Sequence, residues 1–155
     1  MNSIRPTFED LDSISYDHAA LSSQVTYVLA LLAALRAERL EMTSLHAEVL
    51  RQTDILGSVL MDHIAYEEES AFPYLAEKYP YLTSRINSIL TQHAEVVGAF
   101  NEFRSVLNAN DASISRHMLL AKAEAFDTVF EQHATVETQL LQELRPSNFG
   151  NANSA

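Results

Sequence analysis

The sequence predicts an all-α protein, folded as an up-down-up-down antiparallel four-helix bundle. Three observations carry this expectation. Apolar residues recur three and four apart along nearly the whole chain, the spacing of one helix face. Only three glycines and four prolines interrupt the 155 residues. No stretch shows the strict alternation of a half-buried strand. Four amphipathic helices joined by short connections bury their apolar stripes together when neighbours in the chain pack antiparallel.

The first helix is expected to begin after Pro6, with Thr7 as its N-cap, and to run to about Arg39. Its stripe is Leu11, Ile14, Leu21, Val25, Val28, Leu32 and Leu35. The second helix carries Leu45, Val49, Leu56 and Leu60, and should end or kink near Pro73, which has no amide hydrogen to give to a helix interior. "EKYPYLTS", from Glu77, then reads as a turn. The third helix carries Ile86, Ile89, Leu90, Val96, Phe100, Phe103 and Leu107. It is followed by "NANDAS", whose Asn, Asp and Ser favour turns and caps. The fourth carries Leu119, Phe126, Phe130, Leu140 and Leu144 and stops at Pro146. Residues 1–146 therefore read as a single domain and residues 147–155, "SNFGNANSA", as a disordered tail.

Composition narrows the function. The net charge is −11, and the ten Lys and Arg residues are scattered, so no basic stripe is available to follow a phosphate backbone or an anionic membrane. Neither nucleic acid nor membrane is expected as a partner. "MNSIRPTFED" has no apolar signal core, and the longest apolar run, "VLALLAAL" from Val28, is too short to span a bilayer. A soluble, cytoplasmic protein is expected. The chain has no cysteine, which rules out thiolate nucleophiles and leaves any metal to nitrogen and oxygen ligands.

Those ligands are present in a pattern. "DHIAYEEESAFPYL", from Asp62, and "QHATVETQLLQEL", from Gln132, each place a histidine and a glutamate four apart on one helical face. Of the six histidines, four lie on apolar stripes. His18 falls between Ile14 and Leu21, His93 between Leu90 and Val96, and His63 and His133 continue the stripes of the second and fourth helices. Glu67 and Glu137 sit about 40° around the helix from their histidines. His46 and His117 lie about 100° and 160° off the faces of His63 and His133, and are expected at the surface. Counting residues back from each turn puts the four on-stripe histidines at one depth to within about a helical turn. His18, His63, Glu67, His93, His133 and Glu137 should therefore meet in one layer of the core.

Two buried carboxylates need a nearby cation, because an uncompensated buried anion costs several kcal/mol or is forced to protonate. Arg36, Arg104 and Lys122 share the faces but lie at least about 16 Å away along their helices. A metal is the remaining candidate. Imidazole with carboxylate suits iron, manganese or zinc and fits calcium or magnesium poorly. Each half of the chain supplies one lone His and one His-x-x-x-Glu, so two equivalent half-sites point to two metal ions bridged by the carboxylates. One octahedral ion using all six donors is the competing arrangement. The His-Glu-x-x-His order of metalloproteases and the Glu-x-x-His order of ferritin-like bundles are both absent.

The order His, His-x-x-x-Glu, His, His-x-x-x-Glu over four helices, with "EEESAFPYL" after the first pair, resembles the hemerythrin-like (HHE cation-binding) family from about Ser13 to Leu144. The resemblance implies two iron ions in an oxo- or hydroxo-bridged di-iron centre, with His18, His63, Glu67, His93, His133 and Glu137 as ligands. It further implies a protein that binds or senses oxygen, peroxide or nitric oxide, or that reports iron status. The alternatives are a di-iron enzyme of oxidative or nitrosative stress defence, scavenging peroxide or repairing iron centres, and an iron store. Oxygen-carrying hemerythrins have His-x-x-x-His on the third helix, where this chain has Val97, and an aspartate five residues on in the fourth helix, where it has Glu137 four on. The pattern is closer to the iron-sensing and stress-related branches.

Other residues carry weaker expectations. Tyr66, about 60° from His63, is either a hydrogen-bond donor behind the ligands or an aromatic packed at the edge of the stripe. Glu68 and Glu69 read as a solvated face. Gly98 either lets a neighbouring helix approach, leaves room for a small ligand, or is incidental.

Overall fold

A computed structural model describes residues 8–36, 42–109 and 116–144, with side chains placed in 18–34, 46–109 and 117–144. The elements are α1 (Phe8–Arg36), α2 (Met42–Tyr66), a π turn (Glu67–Ala71), α3 (Phe72–Lys78), a 3-10 turn (Pro80–Leu82), α4 (Thr83–Asn108) and α5 (Arg116–Leu144). The expected Thr7 cap, the end near Arg39, most of "NANDAS", the stop at Pro146 and the tail lie outside the described residues.

Within the described side chains each long helix buries the stripe its sequence carries, while Leu11, Ile14, Leu35 and Leu45 lie outside them. On α4 the buried residues are Ile86, Ile89, His93, Val96, Phe100, Phe103 and Leu107, a three-four alternation that keeps one face inward for the whole length. Leu90 and Leu119, at the stripe edges, are half-buried against the core. α1 packs against α2 and α5, and α4 against α5 and α2. The four long helices thus close a ring in which chain neighbours are also neighbours in space, the up-down-up-down bundle. Among the described residues, no helix is long and apolar enough to cross a membrane.

The second helix does not end at Pro73. It widens into the π turn, where the Phe72 amide donates to the Glu67 carbonyl five residues back, and resumes as α3 to Lys78. Proline lacks the amide hydrogen that an uninterrupted helix needs, and its ring crowds the carbonyl four residues back. With the register shifted just upstream, Pro73 sits in the first turn of a new α segment, where the missing donor is tolerated. The expected "EKYPYLTS" turn is shorter than its letters: Glu77 and Lys78 finish α3, Tyr79 leaves helical geometry with φ −126° and ψ 76°, and Thr83 already opens α4.

The apolar core has two parts. The larger gathers Leu21, Val25, Val28 and Leu32 of α1 with Leu56, Leu60, Phe100, Phe103, Phe126 and Phe130, among others. The rings of Phe100 and Phe126 meet edge to face at 5.3 Å. The smaller gathers Phe72, Leu75, Leu82, Ile86, Ile89, Leu140, Leu141 and Leu144. Along α4 and α5, His93 and His133 fall between the two parts. A polar layer thus divides the bundle core.

Gly98 takes one of its expected readings, and His46 departs from its own. Gly98 is exposed, with open space where a Cβ would stand, so it is incidental; Gly57 is the glycine that matters, since a Cβ there would come within 2.9 Å of the Phe100 ring. His46 is half-buried, and its Nε2 donates to the Leu107 carbonyl at 3.2 Å. That carbonyl belongs to the last turn of α4 and has no partner within its own helix. The angular argument removed His46 from the ligand layer, but the direction it leaves faces α4. His117 is exposed.

Candidate metal centre

All six expected residues arrive in the polar layer. His18 comes from α1, His63 from the last turn of α2, Glu67 from the π turn, His93 from α4, and His133 and Glu137 from α5. Both carboxylates are fully buried, with 0 % exposure, and the four imidazoles are buried around them. Every histidine turns Nε2 inward. His18 Nε2 lies 2.5 Å from Glu137, His63 Nε2 2.7 Å from Glu67, His133 Nε2 2.8 Å from Glu137, and His93 Nε2 3.2 Å from Glu137 and 3.7 Å from Glu67.

The layer is a pair of overlapping groups. His18 and His63 form one with Glu67 and Glu137; His93 and His133 form the other with the same two glutamates, and within each group the donor atoms lie within 4.8 Å of one another. Each group takes its imidazoles from one helical hairpin, whose rings meet edge to face at 4.8 Å and 4.7 Å. The duplication in the sequence is thus a duplication in space, with the carboxylates common to both halves.

The outer ring nitrogens test whether these residues suit a cation. His93 Nδ1 donates to Glu68 Oε1 at 3.0 Å, and His133 Nδ1 donates to Gln92 Oε1 at 3.1 Å. A neutral imidazole that donates from Nδ1 keeps a lone pair on Nε2. That lone pair then faces a carboxylate oxygen, and two electron-rich atoms at such distances need a proton or a metal ion between them. Burial pushes the Glu137 carboxyl up, but hydrogen bonds from His133, His18 and His93 outweigh this and hold it well below the usual carboxylate range. The anion therefore persists in the core and demands positive charge. Among the described residues Lys and Arg side chains do not bring it: Arg85 pairs with Glu143, Arg104 with Asp54 and Lys122 with Glu102, all at the surface. Two imidazole nitrogens and two carboxylate oxygens per group are a donor set suited to iron, manganese or zinc.

Sequence reasoning missed two residues here. Glu68 was expected on a solvated face; its carboxylate is 47 % exposed yet reaches back to His93 from within the π turn. A signal existed, since a ligating histidine needs an acceptor for its other nitrogen and "EEES" offers surplus carboxylates. Gln92 left no such signal: it precedes His93 in the chain but serves His133 on the next helix. Tyr66 is half-buried and packs against the smaller apolar cluster.

Fold and site together define a four-helix bundle with a histidine and glutamate group in its core arranged to hold metal cations. The chain belongs to the hemerythrin HHE cation binding domain family, whose model matches residues 10–144. No curated protein and no solved structure matched it.

Proposed function

We propose that the protein is a non-haem di-iron protein that binds or senses oxygen, peroxide or nitric oxide. What supports the reading is one observation above the rest: two groups of two imidazoles that share both carboxylates. The donors within 4.8 Å of one another fall into two groups of four and not one group of six, which favours two ions over a single octahedral ion that takes all six. In this reading His18 and His63 would hold one iron and His93 and His133 the other, with Glu67 and Glu137 available to both. Such a pair would supply reducing electrons and Lewis acidity to a small ligand. The chain's own contribution is to exclude water with the apolar clusters on either side, to fix the ring of His93 through Glu68 and that of His133 through Gln92, and to keep Glu137 ionised.

Metal analysis with an optical spectrum, on protein purified from iron-supplied cells, tests this. Two irons per chain and near-ultraviolet bands of a bridged ferric pair are expected. Saturation at one metal per chain refutes the dinuclear reading. Rapid turnover of peroxide by the loaded protein would replace a binding or sensing role with an enzymatic one in stress defence.

A further inference from the structure

The two halves of the centre match in their ligands but not in what stands behind them. In the half built from α4 and α5, both imidazoles are fixed from outside: His93 by the charged carboxylate of Glu68, His133 by the neutral amide oxygen of Gln92. In the half built from α1 and α2, His18 Nδ1 is buried and, among the described residues, has no hydrogen-bond partner. An acceptor on Nδ1 does two things for a metal ligand. It fixes the tautomer and ring orientation before the metal arrives, and, when it is a carboxylate, it makes Nε2 a stronger donor.

We propose that the two metal positions are unequal, that the His93–His133 half fills first, and that Glu68 is the positioning residue that sets this order. The proposal rests on the dinuclear reading above. Glu68 acts through His93 and touches neither shared carboxylate in the contacts described, so its influence falls on one half. The His18–His63 half must orient the His18 ring as it binds, and it receives its metal second and releases it more easily. The shared Glu67 and the positioning Glu68 are adjacent residues of the π turn, and they serve the centre and the outer face of His93 respectively.

The test is a titration of metal-free, full-length protein with Co2+, following the visible d–d bands and the heat of binding. Wild type should take up two equivalents in two resolved steps. Glu68→Ala should weaken the first step by about 10–100-fold, the cost of losing an outer partner of a metal-bound histidine, and leave the second nearly unchanged. Glu68→Gln should restore most of the loss, because an amide oxygen still accepts the Nδ1 proton. Glu69→Ala, a neighbouring exposed carboxylate, serves as the control and should change neither step. Far-ultraviolet circular dichroism confirms that each variant folds, which the half-exposed position of Glu68 favours. Two equivalents bound in one unresolved step, a Glu68→Ala variant that titrates like wild type, or one that weakens the second step instead would overturn the inference while leaving the dinuclear reading intact. Saturation of wild type at one equivalent would overturn both.

Discussion

Replacing Glu137 by alanine removes one donor from each of the two proposed metal-binding groups at once, whereas replacing His18 removes one donor from a single group. The two variants separate a shared-carboxylate centre from any arrangement of independent sites. In His18→Ala, the His93, His133, Glu67 and Glu137 group keeps all its donors, so iron loading should fall from two per chain to about one. In Glu137→Ala both groups are incomplete, and one of the two buried negative charges that offset the cations is gone. Loss of an outer hydrogen-bond partner alone costs about 10–100-fold in metal affinity, and a ligand counts for more. Losing a ligand from both groups should therefore cost at least about 10²–10⁴-fold in the overall two-metal affinity. Purified Glu137→Ala should carry well under one iron per chain. Elemental analysis gives the ratio, and circular dichroism shows that the bundle persists. A Glu137→Ala variant that keeps one tightly held metal, or a His18→Ala variant that loses both, would refute the shared arrangement.

His46→Ala and His117→Ala should leave metal loading unchanged, and His46→Ala should cost about 1 kcal/mol in denaturant unfolding by stranding the Leu107 carbonyl; a drop in loading would mean that the helix register is wrong. The metal-free protein should be most stable between about pH 4.5 and 6.5, the ordinary values of its two key groups. The lowered Glu137 contributes stability that is present above its unfolded value and is lost as pH falls through the folded one. Burial pushes His93 down, but Glu137, Glu67 and Glu68 outweigh it and raise the imidazole, whose contribution is present below its unfolded value and lost as pH rises through the folded one. Thermal melts that climb steadily from pH 6 to pH 8, about 6 being near the histidine midpoint, would contradict this. Gly57→Ala gains about 1 kcal/mol in helix preference but meets the buried Phe100 ring at 2.9 Å, where overpacking costs about 1–3 kcal/mol, so a fall in the unfolding midpoint is expected and a rise would show that the ring gives way. With Val97 where oxygen carriers place a histidine, the reduced iron-loaded protein should oxidise irreversibly on stopped-flow mixing with oxygen; a colour that forms in air and reverts under argon would restore the carrier reading.

The sequence by itself determined what helix geometry alone controls. Hydrogen bonding from each amide to the carbonyl four residues back sets about 100° per residue, and that rule is local, so it sorts Leu21, Val25, Val28 and Leu32 to one face without reference to any other helix. The same rule put His63 with Glu67 and His133 with Glu137, excluded His46 and His117 from their layer, and, with the depth count, brought six residues to one level. Antiparallel packing followed because short connections leave chain neighbours few other ways to bury their stripes. What only the tertiary structure decided are the contacts between helices that depend on shifts of an ångström or less. Glu68, in the π turn ahead of Pro73, meets His93 on the neighbouring α4. Gln92 meets His133, His46 meets the end of α4, and Gly57 makes room for Phe100, each through the distance and rotation between two helices. Periodicity averages over a turn and fixes a face; a hydrogen bond is made or lost within a few tenths of an ångström, and that distance is set by how whole helices pack.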